Sequence, residues 1–276
     1  MTDLFARVVC GLDGTSESLE ALRQAALLAH QGSQLDLVMV DNAVTIAAAT
    51  APATGVMVPP PMPAAEAGGE WLDAGQELLR RDFPALRHVE KRLLEGPVLP
   101  TLLQELADWK ATVAAVGRHG HSRLAGLVVG SVATTLLHEA PCSVLVTGKG
   151  TDFGADFPRT ITVGFDGSEQ AEDALEGALE IARRKGSEVR AVCAVGGKGV
   201  GVDELEARLA EAAPGVELAV EKGSATDVLA SQSCDLLVLG SRGLHGLKAL
   251  GSVSERVAHG VDGTVLVVRP APTTTG

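Results

Sequence analysis

Residues 6–30 read ARVVCGLDGTSESLEALRQAALLAH, and a closely similar order of residue types returns over residues 159–186. In the first copy a short apolar run ends at Asp13-Gly14-Thr15, and in the second copy it ends at Asp166-Gly167-Ser168. The residues that follow carry apolar side chains at helical spacing, behind a Thr or Ser that suits a helix N-cap. The pattern therefore predicts a strand, a tight turn and a helix, twice in one chain.

Strand and helix patterns alternate through the rest of both copies. The further predicted strands are 35–40, 88–96, 111–116 and 143–148, then 189–195, 216–223, 235–240 and 264–270. The predicted helices are 17–30, 70–83, 98–109 and 131–140, then 169–185, 204–213, 224–234 and 253–260. Such a repeat indicates an α/β fold of two tandem doubly wound domains, 1–150 and 151–276, each with helices on both faces of a parallel sheet.

The Ala- and Pro-rich stretch 43–69 interrupts the first copy. Its run of prolines near residue 60 is incompatible with a regular helix or a central strand, so we predict a long loop. A variable insertion is favoured over a lid or a partner-binding arm.

The composition narrows the class of protein. The formal net charge of −12 argues against a nucleic-acid or anionic-membrane partner. No apolar run reaches about 18 residues, and the N-terminal residues lack a signal-peptide pattern, so we expect a cytoplasmic protein. The four cysteines show no metal-ligand spacing and are predicted to be reduced, buried thiols, with a disulfide as the minor alternative.

A glycine-rich stretch, GRHGHSRLAGLVVGS, occupies residues 117–131 between a predicted strand and a predicted helix. Its glycines are spaced G-x2-G-x9-G, and Ser131 follows the last of them. Glycine lets the backbone approach a ligand closely, and the helix N-terminus adds partial positive charge. The stretch predicts a phosphate-binding loop, with a simple tight turn as the alternative.

At these residues the chain resembles the universal stress protein family in its tandem two-domain form. The family motif G-x2-G-x9-G-[S/T] is met in full, and the two Asp-Gly-Ser/Thr turns and the segment Ala140-Pro141-Cys142 are similar as well. The resemblance implies the strand order 3-2-1-4-5 in each five-stranded sheet. It also implies that strands 143–148 and 264–270 pair, so that the two halves form an intramolecular pseudo-dimer. A homodimer of two chains is a further expectation.

The resemblance implies ATP, possibly with Mg²⁺ or Mn²⁺ on its phosphates, in the cleft of the first domain. The adenosine would lie near Asp13, Met39, Val40 and Val116. The phosphates would lie on Gly117, Arg118, His119, Gly120, Gly130, Ser131 and Val132. The second glycine stretch has the shorter spacing G-x2-G-x7-G-S. Its site would comprise Asp166, Ala194, Gly240, Arg242, Gly243, Gly251, Ser252 and Val253, and whether it binds nucleotide stays open.

The function that the resemblance implies is that of an ATP-binding stress protein that works by binding rather than by turnover. One alternative is a slow ATP hydrolase at the same cleft, although neither His119 nor His121 has an evident acid or nucleophile beside it in the sequence. The other alternative is a nucleotide-free scaffold. We assign no catalytic residue and no metal ligand.

Overall fold

The structure, a computed structural model, describes residues 3–42, 64–118, 129–148, 154–195, 201–241, 252–261 and 263–270, without the side chains of 64–67 and 252. The first half contains β1 (Arg7–Gly11), α1 (Ser16–Leu28), β2 (Gln34–Asp41), α2 (Ala64–Asp82), β3 (His88–Glu95), α3 (Val98–Asp108), β4 (Val113–Gly117), α4 (Ser131–Glu139) and β5 (Ser143–Thr147). The second half contains β6 (Thr160–Gly164), α5 (Glu169–Lys185), β7 (Glu188–Val195), α6 (Val202–Ala212), β8 (Glu217–Lys222), α7 (Ala225–Ala230), β9 (Leu236–Gly240), α8 (Ser252–Gly260) and β10 (Thr264–Val268).

The strands form one sheet of ten strands in the order β3-β2-β1-β4-β5-β10-β9-β6-β7-β8. Within each half all neighbours are parallel, and the predicted order 3-2-1-4-5 is confirmed in both. The halves join where β5 and β10 pair antiparallel, with Leu145 opposite Leu266. The two apolar edge strands therefore cover each other's unpaired backbone groups.

The helices cover both faces of the sheet, as predicted. One buried cluster packs α1, α2, α5 and α6 on one face, and a second cluster packs α3, α4, α7 and α8 on the other. Successive strand residues alternate between the two clusters, so Val8 and Cys10 belong to the first and Val9 to the second. Among the described residues, no helix combines the length and the apolar character that crossing a bilayer requires.

The predicted turn between the first strand and the first helix is present in both halves. The Thr15 side chain caps α1 by accepting a hydrogen bond from the Ser18 amide at 3.2 Å, and Ser168 caps α5 by accepting one from the Ala171 amide at 3.3 Å. Each cap satisfies an amide that the first helical turn leaves without a partner.

Several predicted boundaries were wrong. Helix α1 ends at Leu28 rather than at residue 30, because Ala29 already has extended backbone angles. Helix α2 begins at Ala64, inside the predicted loop 43–69, of which residues 43–63 lie outside the described part. Helix α7 ends at Ala230 rather than at residue 234, and the Gln232 side chain donates a hydrogen bond to the Val228 carbonyl in its last turns.

Candidate functional site

The strand order reverses between β1 and β4. The loop that leaves the carboxyl end of β1 and the loop that leaves the carboxyl end of β4 therefore run to opposite faces of the sheet. The register pairs Cys10 with Ala115, which leaves Gly11 and Val116 side by side at the ends of the two strands. Beyond β1, the Leu12 amide donates to the Val38 carbonyl at 2.8 Å and holds the chain against β2. A doubly wound sheet forms its ligand cleft at such a reversal.

A cavity of about 460 Å³ opens at this point, and we call it the first cleft. Its volume lies within the range of about 300–1,000 Å³ that is typical of small-molecule sites. The predicted site residues that line it are Asp13, Met39, Val40, Val116, Gly117, Gly130, Ser131 and Val132. Residues from four separate parts of the first half are thus brought together around one space.

The first cleft also has lining residues that were not predicted. Asp41 is the last residue of β2 and Asn42 follows it, so the rule that parallel strands end at one edge of the sheet could have predicted both. Val98 and Leu102 contribute from α3, and nothing in their local sequence marks them as part of a site.

The turn that carries Asp13 is held by its own side chain. The Asp13 Oδ1 atom accepts hydrogen bonds from the Thr15 amide at 3.0 Å and from the Thr15 hydroxyl at 2.6 Å. The Asp13 amide in turn donates to the Ser18 hydroxyl at 3.3 Å. These bonds fix the carboxylate at the edge of the cleft before any ligand arrives.

The two ends of the glycine-rich stretch meet beside the cleft. The Gly130 amide donates to the Arg118 carbonyl at 2.7 Å, and α4 begins at the next residue, Ser131. Gly130 is the N-cap of α4 and supplies no side-chain hydrogen bond to the first turn, in contrast to Thr15 in α1. The N-terminus of α4 therefore faces the cleft without a capping side chain, which is the arrangement that favours an anion.

The Arg118 side chain does not line the cleft. It is 1% exposed, and its guanidinium donates to the Ala258 and Gly263 carbonyls of the second half, each at 2.8 Å. The expectation places the phosphates on residue Arg118, and the structure brings its backbone, but not its side chain, to the loop beside the cleft. The predicted ligands His119 and Gly120 lie outside the described residues.

The corresponding cleft of the second half is smaller. Its cavity measures about 150 Å³, and the predicted site residues on its wall are Asp166, Ala194, Gly240 and Val253. Helix α8 begins at Ser252, whose side chain is not described, while Arg242, Gly243 and Gly251 lie outside the described residues.

Leucine side chains narrow the second cleft. A Cβ built on Gly164 would come within 2.8 Å of Leu239 and 3.2 Å of Leu229. At the equivalent Gly11 of the first half, the nearest side chains are Val116 at 3.2 Å and Leu102 at 3.9 Å. A larger residue at the end of β9 therefore occupies space that is open in the first cleft.

The cysteines near the clefts are buried. Burial, followed by the negative charge of Asp36, raises the pKa of the Cys10 thiol to about 12. Burial and the nearby Asp166 also raise the pKa of Cys193, which lines the second cleft. In the part of the chain that the structure describes, no three His, Cys, Asp or Glu side chains gather as a metal site.

The chain is similar to known proteins of one family. The model of the universal stress protein family matches residues 4–148, 158–203 and 196–269. The chain is 30% identical, over an alignment of 297 positions, to universal stress protein Rv2005c of Mycobacterium tuberculosis, with 95% of this chain and 96% of that protein covered.

Two solved structures share the fold of nearly the whole chain. A universal stress protein from Archaeoglobus fulgidus gives a TM-score of 0.65 at 20% identity, covering 96% of this chain and 97% of its own. A putative universal stress protein from Pseudomonas aeruginosa gives a TM-score of 0.65 at 18% identity, covering 97% of this chain and 94% of its own. With its family motif, its aligned length and its doubly wound halves, the chain belongs to the universal stress protein family.

Proposed function

We propose that the first cleft binds ATP and that the protein acts in the cytoplasm as a nucleotide-dependent binding protein of a stress response. The observation that carries the proposal is the meeting of Gly117, Gly130 and Ser131 with Asp13 and Met39 around a single cavity of about 460 Å³. The adenosine would lie on the side of Asp13, Met39 and Val40, and the phosphates would lie on the glycine-rich loop and the N-terminus of α4.

The chemistry of the lining suits the two ends of a nucleotide. The carboxylates of Asp13 and Asp41 accept hydrogen bonds, which the amino group of adenine and the ribose hydroxyls can donate. The first turn of α4 offers amide donors and partial positive charge, which favour a phosphate. A bound Mg²⁺ or Mn²⁺ would take most of its ligands from phosphate oxygens and water, as such ions commonly do.

We further propose that each chain binds one nucleotide, within residues 1–150. The second cleft, at about 150 Å³, is smaller than typical small-molecule sites. The half formed by residues 151–276 would then serve as the partner in an intramolecular pseudo-dimer, through the pairing of β5 with β10. On this proposal the second glycine-rich stretch holds no phosphate.

The test uses calorimetric titration of the full chain with ATP and Mg²⁺, with Ser131→Glu as the diagnostic variant. Ser131 is exposed at the first position of α4, so a carboxylate there is tolerated by the helix dipole but repels a phosphate. Ser16→Glu places the same charge at the first position of α1, outside the cleft lining, and is the matched control. Ser252→Glu makes the equivalent change in the second half.

The expected result is one ATP per chain for the wild type, for S16E and for S252E, and loss of binding in S131E. Binding that disappears in S252E but persists in S131E would move the site to the second half. Chromatography of the titrated samples for ADP and AMP measures turnover at the same time, and release of either product that is absent in S131E would favour the slow hydrolase alternative.

A further inference from the structure

Arg118 makes hydrogen bonds in both halves of the molecule. Its backbone is part of the first cleft's glycine-rich loop, because Gly117 lines the cleft and the Gly130 amide donates to the Arg118 carbonyl at 2.7 Å. Its side chain leaves that loop and is buried in the second half. A single residue therefore ties the base of the loop to the neighbouring half.

In the second half, the Arg118 guanidinium donates hydrogen bonds to a pair of backbone carbonyls. Nη1 of Arg118 donates to the Ala258 carbonyl in the last turn of α8, and Nη2 donates to the Gly263 carbonyl just before β10. The last carbonyls of a helix have no intrahelical donors, and a cation there is favoured by the helix dipole. The rigid planar guanidinium satisfies two such acceptors at once, which a flexible ammonium group cannot do in the same way.

The second half also contacts the first half, since Arg269 Nη2 donates to the Leu137 carbonyl in the last turn of α4, but Arg269 does not follow β9. The end of β4 at Gly117 corresponds to the end of β9 at Gly240, so the position equivalent to Arg118 is held by Ser241. Ser241 is buried and its amide donates to the Val268 carbonyl within its own half. Among the described residues that directly follow β4 and β9, only Arg118, beside the larger cleft, reaches the opposite half with its side chain.

We propose that Arg118 is a positioning residue for phosphate binding. It holds the backbone at residues 117–118, and through the Arg118 carbonyl the Gly130 amide at the start of α4, by anchoring them to the Ala258 and Gly263 carbonyls, and it does not contact the nucleotide itself. The second half therefore contributes to the phosphate affinity of the first cleft. The inference rests on the proposed binding of ATP at that cleft.

The test compares the affinities of the full-length protein for ATP and for adenosine, which lacks phosphates. We expect Arg118→Met to weaken ATP binding about tenfold, the scale for losing hydrogen bonds from a charged donor, while adenosine affinity changes less than about twofold. Arg118→Lys keeps the positive charge but lacks the planar group that donates to both carbonyls at once. Its ATP affinity is therefore expected to lie between those of the wild type and R118M. If R118M does not fold, the ATP and adenosine affinities of R118K are compared with those of the wild type instead.

The matched control is Arg184→Met. Arg184 also crosses between the halves, since its Nη1 donates to the Leu28 carbonyl at 3.1 Å, but it lies at the opposite end of α1 from the cleft. R184M is expected to bind ATP and adenosine with wild-type affinity. Equal weakening of ATP binding in R184M and R118M would overturn the inference, because any loosening of the two halves would then suffice.

Hydrogen exchange separates positioning from direct contact with phosphate. If Arg118 keeps its anchor, the amides of residues 257–261 exchange no faster when ATP is bound. If the guanidinium instead moves to the phosphates, these amides exchange faster, and the inference is overturned. Unchanged ATP affinity in both R118M and R118K would overturn it while leaving the proposed function intact, whereas a wild type that does not bind ATP would overturn both.

Discussion

The indole ring of Trp71 lies against the backbone of Gly14, so closely that a Cβ built on this glycine would come within 2.8 Å of the indole Nε1 atom. Gly14 follows Asp13 and has a φ of +82°, a conformation that side chains with a Cβ rarely adopt. Trp71 is 37% exposed, so it covers the turn beside the first cleft rather than filling the core.

This contact predicts the cost of Gly14→Ala. Backbone strain at positive φ costs about 1–2 kcal/mol, and displacement of the indole adds to it. Gly186→Ala is the matched control, because Gly186 has a φ of +73° and a Cβ added to it would meet nothing within 4 Å, so it should show the strain alone. Urea unfolding measures both variants, and equal losses of stability would contradict the role given to Trp71.

The junction between the halves contains a buried polar pair. The Thr264 hydroxyl donates to the Gln24 Oε1 atom at 2.7 Å, and both side chains are almost completely buried. Thr264→Val keeps the shape but leaves Oε1 without this donor, so we expect a loss of about 1–3 kcal/mol in the free energy of unfolding.

A double-mutant cycle with Gln24→Met checks this assignment. If the two side chains stabilise the junction through their mutual hydrogen bond, the double variant should lose less stability than the sum of the two single variants. Strict additivity in chemical denaturation would mean that the pair contributes nothing as a pair.

The thiols of Cys10 and Cys142 should resist alkylation in the folded protein. Burial raises the pKa of each to about 12, and the thiolate is the reactive form. With iodoacetamide at about pH 8, where an ordinary thiol reacts readily, we expect both to be labelled only when the protein is unfolded in guanidinium chloride. Mass spectrometry of the peptides measures the rate, and fast labelling of Cys10 under native conditions would contradict the burial of β1.

His259 should make the protein less stable in mild acid. Burial lowers its pKa below the ordinary value, the positive charges of Arg118 and His138 act in the same direction, and Glu255 opposes them. The unfolded chain then binds a proton at this histidine more readily than the folded chain does. The free energy of unfolding therefore falls as the pH decreases from about 7 through the pKa of His259 in the folded protein. Below that pKa this group causes no further loss of stability.

The measurement is urea unfolding across that pH range for the wild type and for His259→Gln. The variant should show a shallower loss of stability between about pH 7 and pH 5, since glutamine does not titrate there. Parallel curves would show that His259 is not the group responsible.

Much of the fold was predictable because the sequence repeats its own pattern. The alternation of apolar strands with amphipathic helices, the Asp-Gly-Ser/Thr turns and the Gly after α5 are local signals, and each lies where its physical role requires. The helix end at Leu28 was missed because the change to extended backbone angles at Ala29 has no local sequence signal. The helix end at Ala230 was missed because the hydrogen bond from the Gln232 side chain to the Val228 carbonyl is seen only in the structure.

The sequence by itself determined the alternation of strands and helices, while the strand order and the place of Met39 in the site came from the family resemblance. Once that order is given, Asp13 and Gly117 gather at one edge of the sheet because parallel strands end on one side. Only the tertiary structure decided that Arg118 points into the second half and that Leu239 narrows the second cleft. Both outcomes depend on which residues, distant in sequence, lie close to these side chains in the folded chain. No local pattern of residues encodes which ones do.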